Sequence, residues 1–285
     1  MKTAFLATKQ EGITKSAERQ LICMIKEGGD GMKISKAPME KENQETARQR
    51  VIVALDFPGK EPAEAFLERW KDREGAKPFV KVGMQLFYAT GPSWVVSLKE
   101  RGFPVFLDLK LHDIPNTVKG AVQSISRLGV DLVTLHAGGG SRMMESAREA
   151  AEQAGEKRPR LLAVTQLTST DQRMLNEEIG IPGTVKESVL RYARLAQASG
   201  VDGVVCSGEE AGEIKQATSG GFLTVTPGIR PKGAAVGDQK RVMTPAQAIA
   251  NGADYLVVGR PVTQAPDPVS AYQAIIQEII EAEVE

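Results

Sequence analysis

From residue 51 onward the chain alternates between two hydrophobic patterns. Eight short runs rich in Val, Ile and Leu are apolar almost without a break, at 51–56, 79–82, 105–108, 132–135, 161–165, 203–206, 223–226 and 255–258. Continuous apolar runs of this length predict strands buried on both faces, as in a parallel sheet. Between them the polarity is mixed at helical spacing. Amphipathic helices are expected at 61–71, 93–101, 117–128, 141–154, 185–199, 209–216, 245–251 and 268–281. Gly129, Gly155, Gly200 and Gly252 stand just past four of these helices, where a left-handed residue commonly ends the turn. Eight strand–helix units predict an α/β fold of the closed (β/α)8 (TIM) barrel type, in preference to an open sheet. No compositional break divides 49–285, so that stretch reads as one domain.

Barrels of this kind carry their chemistry at the C-terminal ends of the strands. Polar residues gather where the apolar runs stop: Asp56, Lys81, Asp108, Lys110, His136, Thr168, 227–230, Gly259 and Arg260. A barrel with a purely structural role has no need of charges at so many strand ends, so the pattern points to an enzyme.

The third run leads into FLDLKLHDIPNT, residues 106–117. Asp108 and Lys110 are two apart and share one face of a strand, with Leu107, Leu109 and Leu111 on the other. Asp113 follows as the chain leaves the strand, and Pro115 suits the first turn of a helix. A lysine held between two carboxylates stays protonated. That makes it a poor Schiff-base nucleophile and a good proton donor to a carbanion. Taken alone, the triplet fits a structural ion-pair network equally well.

A phosphate site is expected at the far side of the barrel. The loop after the seventh run, TPGIRPKGAAVGDQKR at 226–241, is long, basic and glycine-rich, as binding loops and lids often are. The eighth run ends in VVGRP, and barrel enzymes often bind phosphate after strands seven and eight. Gly259 allows close backbone approach, and Arg260 offers a forked donor to phosphate oxygens.

Composition narrows the classes further. Of 285 residues, 36 are Lys or Arg and 36 are Asp or Glu. This balance offers no overall field for nucleic acid or an anionic membrane. No apolar run is long enough to span a bilayer. Cys23 and Cys206 are too few for a disulfide framework or a four-cysteine zinc site. His112 and His136 read as satisfied structural histidines, and no metal or cofactor is expected. Residues 1–48 have mixed charge and little apolar periodicity. They lack the apolar core of a secretory signal, and a poorly ordered extension is expected, with Met32 and Met39 as plausible later starts.

The motifs taken together resemble the bacterial type of orotidine 5'-phosphate decarboxylase. The resemblance rests on VIVALD (51–56), FVKVGMQLF (79–87), FLDLKLHDIPNTV (106–118), LHAGGG (135–140), AVTQLTST (163–170), GVVCS (203–207), TVTPGIRP (224–231), DQKR (238–241) and VVGRPVT (257–263). It implies cofactor-free conversion of orotidine 5'-phosphate (OMP) to UMP and CO2, in a cytoplasmic homodimer with shared active sites. It also implies roles for individual residues. Asp56 would bind ribose hydroxyls. Lys81 would contact the ribose and position Asp108, which would sit beside the substrate carboxylate. Lys110 would deliver the proton to C6. Asp113, Ile114 and Thr117 would reach into the neighbouring subunit's site. Thr168 would bond the pyrimidine, Arg230 would begin the lid, Gln239 would bridge lid and phosphate, and Gly259 and Arg260 would hold the phosphate. Two rivals remain: a magnesium-dependent sugar-phosphate decarboxylase or hexulose-phosphate synthase with a similar Asp-x-Lys-x-x-Asp cluster, and a nucleotide-binding regulator on an inactive barrel. AVTQLTS and the long TPGIRP loop favour the first reading.

Overall fold

The computed structural model describes residues 37–71, 77–231 and 242–284. Residues 42–285 form one compact unit; of the separate unit 1–41, only the helical backbone of residues 37–41 is described. The helix Ala37–Arg50 runs across the expected boundary at residues 48/49.

Eight parallel strands close into a barrel in chain order: β1 (Val51–Ala54), β2 (Phe79–Gly83), β3 (Val105–Leu111), β4 (Leu132–His136), β5 (Arg160–Val164), β6 (Gly203–Val205), β7 (Leu223–Thr226) and β8 (Tyr255–Val258). Each expected run became a strand. The largest departure is β3, which continues to Leu111 instead of stopping at Asp108. The expected helix at 61–71 divides into the helix Lys60–Leu67 and a 3-10 turn, Glu68–Trp70. A helix that periodicity did not reveal, Met84–Thr90, follows β2 directly. It is too short for a clear 3.6-residue pattern.

Alternation along the strands builds two cores. One face of each strand, including Val51, Val53, Val80, Val82, Leu107, Val133, Leu135, Leu161, Leu256 and Val258, packs against the helices. The other face fills the barrel with Ile52, Ala54, Phe79, Phe106, Leu132, Leu162, Val225 and Val257. The interior is therefore packed, and a full-sized apolar side chain there contributes about 1.5–3 kcal/mol. Space is tight at Gly203 in β6, where an added Cβ would stand 2.5 Å from both Cβ and the carbonyl oxygen of Leu223.

The N-terminal mouth is fastened by a repeated device. Asp131, Asp202 and Asp254 each lie one residue before an even-numbered strand. Each carboxylate accepts an N–H at the start of the preceding odd strand, from the first residue of β3 (Val105, 2.7 Å) and from the second residues of β5 (Leu161, 2.7 Å) and β7 (Thr224, 2.7 Å). Each also takes a cation, respectively Lys99 at 2.5 Å, Arg158 at 2.7 Å and Lys215 at 2.6 Å. These staples satisfy one N–H at the start of each of β3, β5 and β7. The β8–β1 seam is held differently. Arg50, just before β1, donates to the carbonyls of Ala253 (2.7 Å) and Asp254 (3.1 Å) and pairs with Glu283.

Candidate active site

At the opposite mouth the inward-facing positions turn from apolar to charged. One layer above Ile52, Phe79 and Phe106 come Lys81 and Asp108, then Asp56 and Lys110 as the chain leaves the strands. They form an alternating chain of charge. Lys81 Nζ lies 3.1 Å from Asp56 Oδ1 and 3.7 Å from Asp108 Oδ2, while Lys110 Nζ lies 2.9 Å from Asp108 Oδ1. The inner pair is well covered, with side-chain exposures of 12% for Lys81 and 14% for Asp108; Lys110 is 29% and Asp56 65% exposed. Gly83 leaves room for this chain, because a Cβ there would sit 3.3 Å from Lys81 Nζ.

The Asp108 carboxyl is held below the usual aspartate range. Burial alone would push it up, but the charges of Lys81 and Lys110, with hydrogen bonds from Lys110 and Thr134, outweigh burial. The His136 pKa is lowered as well, by burial and by the nearby His112 and Lys110. Its ring stacks on His112 at 5.3 Å between centroids, and its Nδ1 accepts the N–H of Gly138 at 3.4 Å.

Simple strand alternation does not explain how Asp108 and Lys110 meet. Pairing between β3 and β4 runs Leu107 to Val133 and then Leu111 to Leu135, so three β3 residues stand opposite Thr134 alone. In this bulge Lys110 adopts φ 52°, the one positive φ at a non-glycine among the described residues. Such a conformation costs about 1–3 kcal/mol and persists where surroundings enforce it. The expectation that Lys110 lies between Asp108 and Asp113 also needs correction within one chain. Here the lysine between two carboxylates is Lys81, and Lys110 pairs with Asp108. Asp113 is exposed and its Oδ1 accepts the N–H of Ile114 at 2.6 Å.

A cavity of about 650 Å³ opens above the charged chain. Asp56, Lys81, Asp108, Lys110, Thr168, Arg230, Gly259 and Arg260 all line it, so most of the residues singled out from sequence converge on one space. Arg230 and Arg260 line the cavity on the β7–β8 side, and Asp56, Lys81, Asp108 and Lys110 line it on the β1–β3 side. Arg230 is buried at 9% exposure and donates to the carbonyl of Ile229 at 2.9 Å. Three positions do not join this wall. Asp113, Ile114 and Thr117 stand on the exposed rim beyond β3, Ile114 with 67% of its surface free. Gln239 lies outside the described residues. The histidines also stay off the cavity wall.

Several lining residues were not anticipated. Phe57 and Pro58 after β1, Gln166 after β5, and Thr263 and Gln264 after β8 all border the cavity. Gln166 is 7% exposed and donates to Ser188 at 3.0 Å. Cys206, at the end of β6, also borders it, but burial pushes its thiol far up, so it is not a ready nucleophile. Among the described residues, no group of three or more His, Cys, Asp and Glu side chains is arranged to hold a metal ion. No described helix is long and apolar enough to cross a membrane.

A closed parallel barrel with a Lys–Asp network and an arginine-lined wall at the C-terminal mouth is the build of a (β/α)8-barrel enzyme. The family model described as "Orotidine 5'-phosphate decarboxylase / HUMPS family" matches residues 49–275, and the chain belongs to that family. It is 56% identical over 230 residues to the orotidine 5'-phosphate decarboxylase of Geobacillus thermodenitrificans, covering 80% of this chain and 95% of that one. It is 57% identical over 226 residues to the Cutibacterium acnes enzyme of the same name, covering 79% and 94%. Among solved structures it is similar to the orotidine 5'-phosphate decarboxylase of Lactobacillus acidophilus, with a TM-score of 0.73 and 40% identity over 81% of this chain and 99% of that chain. It is also similar to an uncharacterized conserved protein of Geobacillus kaustophilus, with a TM-score of 0.71 and 49% identity over 80% and 99%.

Proposed function

We propose that this chain decarboxylates OMP to UMP in pyrimidine biosynthesis, without a cofactor and with Lys110 as proton donor. The observation that carries the reading is the Lys110 ammonium, 2.9 Å from Asp108 at the cavity floor, facing the Arg230–Arg260 wall. The C6–carboxylate bond breaks heterolytically, CO2 leaves, and the electron pair stays on C6. The Nζ proton of Lys110 passes to that carbon, and the resulting amine regains a proton from solvent. A fixed cation beside developing carbanion charge stabilises it without reorganisation. Asp108, kept ionised by its two lysines, faces the substrate carboxylate and directs Lys110. Repulsion between the two carboxylates is at most a secondary contribution.

Gly259 and Arg260, with Arg230 and Gln239, bind the phosphate. Binding energy far from C6 then helps assemble the site. Asp56 and Lys81 hold the ribose, and Thr168 bonds the pyrimidine. The relatives named orotidine 5'-phosphate decarboxylase at 56% and 57% identity support this substrate over the sugar-phosphate rival. An ultraviolet assay of OMP loss, run with and without chelator, tests it. Equal rates are expected, and absence of turnover, or turnover lost with chelator, would overturn the reading.

The enzyme works as a cytoplasmic homodimer in which Asp113, Ile114 and Thr117 complete the partner's site. Support comes from their exposure on the rim and from Lys110 having, among the described residues, Asp108 as its one carboxylate partner. Mixing the inactive variants Asp113→Asn and Lys110→Ala should restore part of the activity through hybrid dimers. No recovery on mixing counts against sharing.

A further inference from the structure

The bulge in β3 poses a backbone problem that one side chain solves. At Lys110 the chain leaves the regular ladder, so its N–H loses the carbonyl that an in-register strand would supply. The residue facing the bulge is Thr134, fully buried in the middle of β4. Its Oγ1 accepts the N–H of Lys110 at 2.9 Å and lies 2.9 Å from Asp108 Oδ1. The direction of the second bond follows from the first. The backbone N–H can only donate, so it occupies a hydroxyl lone pair. The single hydroxyl proton is left for the carboxylate. Asp108 Oδ1 thereby receives both the Thr134 hydroxyl and Lys110 Nζ, while Oδ2 faces Lys81 at 3.7 Å.

The geometry assigns Thr134 as the positioning residue of this site: its hydroxyl fixes the left-handed backbone of Lys110 and the rotation of the Asp108 carboxylate at the same time. It touches no reacting atom. It sets where the ammonium stands relative to the carboxylate, a distance on which proton delivery depends steeply. The assignment rests on the decarboxylase reading for its consequence in catalysis, but its structural content stands without it.

T134V keeps the shape and removes the hydroxyl. The expected result is a kcat lower by about tenfold to a hundredfold with KM little changed, since the loss falls on the reacting geometry rather than on phosphate binding. T134S, which retains the hydroxyl, should recover most of the rate. Should T134V not fold, T134S against T134A isolates the same group. A T134A or T134V enzyme with the kcat of T134S overturns the assignment. A second readout needs no substrate: carbon NMR of the Asp108 carboxyl, whose neighbours Lys81 and Lys110 remain in place. It should titrate at higher pH in the hydroxyl-free variant. Unchanged titration overturns the assignment even if the wild type proves to act on some other compound, while failure of the wild type on OMP sinks only the proposed function.

Discussion

The two mouths of this barrel both hold buried aspartates against cations, yet they are built to opposite ends. At the N-terminal mouth Asp202 accepts Arg158 at 2.7 and 2.9 Å, Arg148 at 2.9 Å and the backbone N–H of Leu161 at 2.7 Å. Every bond is to a group that keeps its proton, since guanidinium and amide do not titrate in the working range. The cluster is closed on itself. At the C-terminal mouth Asp108 is held by two ammonium groups and one hydroxyl, and the assembly opens into a 650 Å³ cavity. Lysine can give up a proton where arginine cannot. The cation alone does not separate a fastening from a reaction centre, since Asp131 and Asp254 at the N-terminal mouth also take lysines, Lys99 and Lys215. The difference is that Lys110 stands in a cavity it shares with Arg230 and Arg260.

The sharpest test of that contrast is Lys110→Ala. Turnover should fall by at least about a thousandfold, as expected for loss of a general acid that also stabilises the carbanion. Nucleotide binding by titration calorimetry and the melting temperature should change little. Asp202→Asn should do the reverse, with kcat unchanged and stability lower by about 1–2 kcal/mol in urea unfolding, because Arg148 and Arg158 lose the Asp202 charge while Glu152 stays beside both. The same variant changes the acid limb. Burial alone would raise the Asp202 pKa, but the hydrogen bonds of Arg158 and the Leu161 N–H, with the charges of Arg158 and Arg148, bring it below the ordinary range. The unfolded chain takes up that proton near pH 3.9 and the folded chain only lower. Asp202 therefore stabilises the fold above about pH 3.9, and its contribution fades as pH falls through the folded value. The wild type should lose more stability over that window than the variant does.

Smaller effects probe the rim. Arg260→Ala should raise KM and lower kcat together, by about tenfold in each, since remote phosphate binding assists the chemical step. Unchanged constants in steady-state kinetics would remove Arg260 from the phosphate site. The smallest effect is expected at Cys206. Its thiol borders the cavity but is fully buried with a raised pKa, so neutral iodoacetamide should not label it in the folded enzyme. Rapid labelling detected by mass spectrometry would mean that the wall of β6 opens.

Much of this was legible in the sequence, for a definite reason. Parallel strands buried on both sides are mostly apolar, so a run such as 255–258 marked its strand to the residue. The charged residues at strand ends converge because a barrel brings all its C-termini to one mouth. What stayed hidden was a matter of local geometry. Nothing in DLKLH announces that Lys110 will be left-handed, because the cause lies across the sheet at Thr134. A lone threonine in the apolar run LVTLH was the available signal. Within one chain the lysine that stands between two carboxylates is Lys81, which comes from β2, and sequence position alone does not reveal that pairing. Cavity walls such as Phe57 and Gln264 carry no distinctive pattern and emerge only from the assembled loops.

Three strand pairs of this hoop are clipped by an aspartate, whereas the joint between its first and last staves is bridged by Arg50, the last residue of the helix ahead of β1. Opening of the ring should therefore begin at that joint. Amide protons along β1 and β8 are then the ones to exchange earliest among the eight staves, and whatever anchors the helix ahead of β1 governs how long the whole ring stays shut.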